Sequence, residues 1–166
     1  MPAEGENLRE HVKRKYGSSR ENSDRAHISI AQRGEKHGFK FNYFEDMRMV
    51  NTLEAHVLLG LANKFSKQTE LKLRLFNAFF SEQKDVSDRN VLRNELIAAG
   101  LNADEGILCL DKPELKEDVR MQEAVWQQHG VSGVPTIVFN RESAVIGAHS
   151  AENYKQILTE LLSKQG

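Results

Sequence analysis

The chain has 166 residues, and 23 basic against 24 acidic side chains leave a net charge of −1. That balance argues against a phosphate-coating nucleic-acid binder, which carries a basic excess, and 39% hydrophobic residues at a mean hydropathy of −0.56 exclude a disordered chain. A single cysteine, Cys109, excludes an intrachain disulfide, a Cys-x-x-Cys motif and a cysteine-rich zinc site within these residues.

Residues 1–6 read as a loop. Asn7 as N-cap and Gly17 as a C-terminal stop bracket a short polar helix over 8–16. A second helix is expected over about 24–37, closed by Gly38. In FKFNY, Phe39, Phe41 and Tyr43 alternate with Lys40 and Asn42, the period of a short strand or extended segment. Asn51 or Thr52 caps the next helix, whose stripe is Leu53, His56, Val57, Gly60 and Leu61. A helix over about 67–83 is apolar around a wide arc (Leu71, Leu73, Leu75, Phe76, Phe79, Phe80), so these side chains are expected in the core. Ser87 caps a helix with inner face Val91, Leu92, Leu96 and Ala99, ended by Gly100. Asn102 opens a short helix, and Asp111-Lys112-Pro113 opens another, carrying Leu115, Val119, Met121, Val125 and Trp126 and stopping at Gly130. The pattern then changes: GVSGVP reads as a turn, TIVFN as a strand, RES as a connection, AVIGA as a second strand, and Ser150 as the cap of a last helix with Tyr154, Ile157, Leu158 and Leu161 on one face. Three segments follow: 1–50, two helices and an extended stretch; 51–130, a helical block; 131–166, turn, hairpin and helix.

The C-terminal run GVSGVPTIVFNRESAVIGAHSAENYKQIL resembles the second half of a thioredoxin fold. The helical block before it is similar to the helical insertion of the DsbA-like branch. FNYFEDMRMVNTLEAHVLLGLANKF, with Asn51, Thr52, Ala55 and His56, resembles more narrowly the FrnE-like thiol–disulfide oxidoreductases, a group that includes dithiol–disulfide isomerases. The resemblance implies an α/β, thioredoxin-like (DsbA-type) fold with a large helical insertion. It also implies that Val134–Pro135 is a cis peptide in a substrate-binding loop formed by Val134, Pro135 and Thr136. In such a loop the N–H and C=O of Val134 are open to pair with an extended peptide. The partner implied is a protein or peptide thiol or disulfide, with no bound cofactor and no metal.

Members of that family begin with a strand, a Cys-x-x-Cys helix start and a second strand, and these residues show no such unit. The expectation is that the N-terminal β-α-β part of the fold is absent from this chain, and that Met1 is an internal methionine of a longer protein. The edge of the TIVFN/AVIGA hairpin is then bare and prone to self-association.

Other candidates have plainer readings. Cys109, between Leu108 and Leu110 and next to Asp111, reads as a small buried hydrophobe rather than a reactive thiol. The six histidines show no i, i+4 pair and no His-Glu-x-x-His. His56 reads as a hydrogen-bonded histidine packed at a domain boundary, with substrate or cofactor contact as the alternative. Ser132 reads as a turn residue, and Lys13-Arg14-Lys15 as a solvated helix face.

Two functions from different classes stand open. One is a DsbA/FrnE-like protein thiol–disulfide oxidoreductase lacking its Cys-x-x-Cys and inactive as it stands, which allows for a start codon placed too late. The other is a non-catalytic peptide- or partner-binding module. No apolar run approaches the ~20 residues of a membrane span. The opening MPAEGENLREHVKRKYG has no apolar signal-peptide core, so a cytoplasmic location is expected and a membrane partner is not.

Overall fold

A computed structural model describes residues 5–163 of the chain. It divides into two compact units, Met1–Val119 and Arg120–Gly166, with the boundary inside one helix.

Local chemistry sets most of the element ends in the first unit. Asn7 accepts hydrogen bonds from the backbone N–H of Arg9 and Glu10 and starts α1 (Leu8–Tyr16), and Gly17, at φ +62°, ends it. A two-residue strand β1 (Glu6–Asn7) precedes it. Helix α2 (Arg20–Lys36) starts earlier than expected, because Ser19 caps it by accepting from the N–H of Asn22. Residues 39–44 form no strand, and Asn42 N–H instead donates to the Phe80 carbonyl at 2.7 Å; the strand that does form is β2 (Arg48–Met49), antiparallel to β1. A strand needs a partner, and alternation in Phe39–Tyr43 says nothing of where one lies.

The core is built from α3 (Leu53–Asn63), α4 (Gln68–Phe76), a π-helical turn (Asn77–Ser81), α5 (Arg89–Ala98) and α6 (Ala103–Cys109). Leu58, Leu71, Leu92, Leu96 and Leu110 are fully buried there. Asn51 accepts from the N–H of Leu53 at the start of α3, and Asn102 from the N–H of Asp104 and Glu105 at the start of α6. Asp88, not Ser87, caps α5; the Ser87 hydroxyl instead donates to Asp85. The buried face of α3 is Ala55, Val57, Leu58 and Ala62, which displaces the expected stripe by one or two residues and leaves His56 and Gly60 exposed. On α4 only Leu71 and Leu75 are buried, while Leu73 and Phe76 are exposed, a correction to the core expected from the wide apolar arc.

Across this core Arg89 clamps Glu54 with two hydrogen bonds of 2.9 and 2.8 Å, and its third arm reaches Asp111 at 2.8 Å. Lys116 adds a further contact to Glu54 at 2.7 Å. Helix α7 (Pro113–Gln128) packs Leu115 and Val119 against the core.

In the second unit, α7 ends at Gly130, whose φ is +81°. Strands β3 (Thr136–Phe139) and β4 (Ser143–Ile146) pair antiparallel, in the register Thr136 with Ile146 through Phe139 with Ser143. Their turn centres on Asn140 and Arg141, both at positive φ, and Glu142 N–H donates to Phe139 at 3.0 Å. Residues 140–142 thus form a three-residue connection between the paired ends Phe139 and Ser143, and Asn140 leaves the strand to which the sequence assigned it. Ser150 accepts from the N–H of Asn153 to open α8 (Ala151–Ser163). No described residue beyond Leu110 is fully buried.

Candidate functional site

The loop before β3 is held from both sides. Val131 N–H donates to the Trp126 carbonyl at 3.1 Å, tying the loop to the end of α7. The Thr136 hydroxyl donates to the Gly133 carbonyl at 2.6 Å, and Gly147 N–H donates to the Pro135 carbonyl at 2.7 Å. Between these ties the Val134–Pro135 peptide is cis. Val134 is 90% exposed, and its N–H and C=O have no hydrogen-bond partner among the described residues. Val134, Pro135 and Thr136 therefore lie on one continuous stretch that offers an open backbone donor and acceptor. That is what an extended peptide needs to add itself as a strand.

Cys109 lies in the last turn of α6, buried and unpaired. No group of three or more metal-ligating side chains converges among the described residues. His56 is exposed, and its Nδ1 lies 2.8 Å from the Thr52 carbonyl on its own helix. His129 makes the same i−4 contact with Val125 at 2.7 Å.

Sequence reasoning did not find a second feature, an apolar cleft of about 590 Å³ in the first unit. Its helical walls are stripes spaced i, i+3 or i+4: Ser23, His27 and Ile30 from α2; Thr52, Ala55, His56 and Leu59 at the start of α3; Lys72, Leu75 and Phe76 from α4, continued by Phe79 of the π-helical turn. Leu8 and Val12 of α1 also line it, with Tyr43, Met47 and Val86 from the connecting segments. Phe76, Phe79 and Phe80, expected in the core, line this cleft instead. Phe80 meets Phe79, Phe41 and Phe76 edge-on at centroid distances of 4.9–6.1 Å. Tyr43 stacks flat on His27 at 4.1 Å. Burial pushes the His27 imidazole below its ordinary pKa and the Tyr43 phenol above its own, since each charged form would lose water there. The wide apolar arc of residues 71–80 was the available signal, but an arc does not distinguish a core from a cleft wall.

No curated protein matches the chain. Among solved structures, one described as a probable DsbA oxidoreductase from Streptomyces coelicolor shares 27% identity at a TM-score of 0.84, over 95% of this chain and 68% of that one. A candidate protein disulfide isomerase from Nitrosomonas europaea has the same fold at 14% identity and a TM-score of 0.64, covering 95% of this chain and 89% of its own. The DSBA-like thioredoxin domain profile matches residues 4–159, nearly the whole sequence, so the chain belongs to the DSBA-like thioredoxin domain family.

Proposed function

We propose that this chain serves thiol–disulfide exchange on protein or peptide substrates, as the substrate-binding portion of a FrnE-like oxidoreductase of the dithiol–disulfide isomerase kind. The observation that carries the reading is the open backbone edge at Val134, next to Pro135 and Thr136, inside a domain of this family.

Exchange needs two thiols. A thiolate attacks one sulfur of the substrate disulfide and the other sulfur leaves as a thiolate; a second thiol then attacks the mixed disulfide and releases the reduced product. These 166 residues hold one cysteine, and it is buried, so both thiols come from outside them. Here the chain's own part is to align the substrate backbone along residues 134–136. A non-catalytic peptide-binding module is the second reading, favoured by that same lone, buried Cys109.

A test is titration of the isotope-labelled chain with a reduced, alkylated insulin B-chain peptide, followed by amide resonances. Shifts centred on Gly133, Val134 and Thr136 are expected; shifts confined to other residues refute the loop as the binding edge. The chain alone should not reduce insulin above background. Robust turnover abolished by Cys109→Ser would overturn the reading.

A further inference from the structure

The cleft of the first unit has a chemical asymmetry that the thiol–disulfide reading does not use. Its described lining is overwhelmingly apolar and includes no aspartate or glutamate. It includes one lysine, Lys72, whose ammonium lies 5.5 Å from the Phe76 ring centroid and makes no ion pair among the described residues. On the α2 wall of the same cleft, Ser23 is 6% exposed, and its hydroxyl has no hydrogen-bond partner among the described residues. A buried hydroxyl left unpaired costs free energy unless something satisfies it. The neighbouring carboxylate does not: Asp24 is engaged by Arg9 at 2.5 Å.

Apolar walls, one unpaired cation, an unpaired hydroxyl and no carboxylate define a complementary guest. It has an apolar body, which the aromatic and aliphatic stripes remove from water, and a single anionic head, for which Lys72 supplies charge and Ser23 a donor. The volume lies within the ~300–1,000 Å³ of pockets that enclose small organic ligands, and it suits one acyl chain or a small ring system. A cationic or zwitterionic guest would bring a positive group to a wall that offers it no acceptor charge.

We propose that this cleft binds a small anionic amphiphile, of the class of medium-chain fatty acids and aromatic carboxylates. The assignment of the cleft does not rest on that of the loop at Val134, and either can fail without the other.

The test is isothermal titration calorimetry of the full chain with dodecanoate, kept below its micellar concentration, and with dodecylammonium as the chain-matched cation. Dodecanoate is expected to bind one to one, and dodecylammonium about tenfold more weakly. Lys72→Met should weaken dodecanoate about fivefold, as befits a solvent-exposed charge contact, and narrow the gap to the cation. Ser23→Ala should weaken dodecanoate while leaving thermal stability unchanged or slightly higher, because the hydroxyl it removes has no partner to lose; a purely structural serine would lower stability instead. Ala26→Trp, at an exposed position on the cleft wall, should abolish binding by filling the space. Equal affinity for the two amphiphiles, or binding indifferent to Ala26→Trp, overturns the proposal. So does a dimer that dissociates in Ala26→Trp while dodecanoate gives no heat, which would make a second copy of the chain the occupant.

Discussion

Gly34 and Gly60 both sit inside helices, and they should respond to alanine with opposite signs. Gly34, in α2, is buried where the chain doubles back: its carbonyl accepts from the N–H of both His37 and Phe39 at 2.9 Å. A Cβ there would stand 2.6 Å from the Phe39 carbonyl oxygen and 2.5 Å from Cδ2 of Phe41, whereas ordinary contact begins at 3.4 Å. The Phe39 backbone must therefore retreat by roughly 0.8 Å together with a packed aromatic ring, a change of the kind that costs about 1–3 kcal/mol. Alanine's helix propensity returns at most about 1 kcal/mol. The net expectation for Gly34→Ala is a loss of about 1–2 kcal/mol, or ~2–8 °C in Tm for a chain of this size. Gly60, in the exposed middle of α3, has nothing within 4 Å of the same added atom. Gly60→Ala should gain up to about 1 kcal/mol. Circular dichroism at 222 nm through urea and thermal unfolding reads both. A Gly34→Ala variant as stable as the parent would show that residues 39–43 do not pack onto α2.

Three further outcomes are expected. Arg89→Met should cost about 1 kcal/mol at neutral pH, a bidentate charge-assisted pair discounted for solvent. The Arg89 guanidinium holds Glu54 below the usual carboxylate pKa, so this stability is present above about pH 4.5 and lost as pH falls through the lower folded value; urea titrations at pH 7 and pH 3 should show the parent–variant gap closing in acid, and a gap unchanged at pH 3 removes the linkage. Cys109, buried at the end of α6, should react with an aromatic disulfide reagent roughly two orders of magnitude more slowly in native protein than in urea; equal rates would show an accessible thiol. With Ile137, Val138 and Ile146 all exposed on a two-stranded hairpin, the chain should self-associate in sedimentation velocity, or exchange its Ile137–Phe139 amides quickly; a monodisperse monomer with those amides strongly protected refutes this.

Where one or two residues decide an outcome, the sequence alone determined it. Asn7, Gly17, Asn102, Gly100 and Gly130 act on backbone groups within a turn of themselves, so the ends of α1, α5, α6 and α7 follow from residue type. The order of helical block, turn, hairpin and helix was equally legible, because period 3.6 and period 2 are local patterns, and the resemblance to the DsbA branch rested on that order. Burial was different, since it depends on what arrives from far along the chain. Leu71 and Leu73 are chemically identical, yet one is fully buried and the other 58% exposed. Residues 39–43 find no strand partner and instead lay their rings against Phe80 and His27. Gly34 looks like a helix defect until Phe41 is placed over it. The cleft joins helical faces and loop residues from residue 8 to residue 86, each ordinary on its own. Only the tertiary structure could decide that these faces leave a space between them, because the packing of helices is set by all their contacts at once and by none of their local sequences.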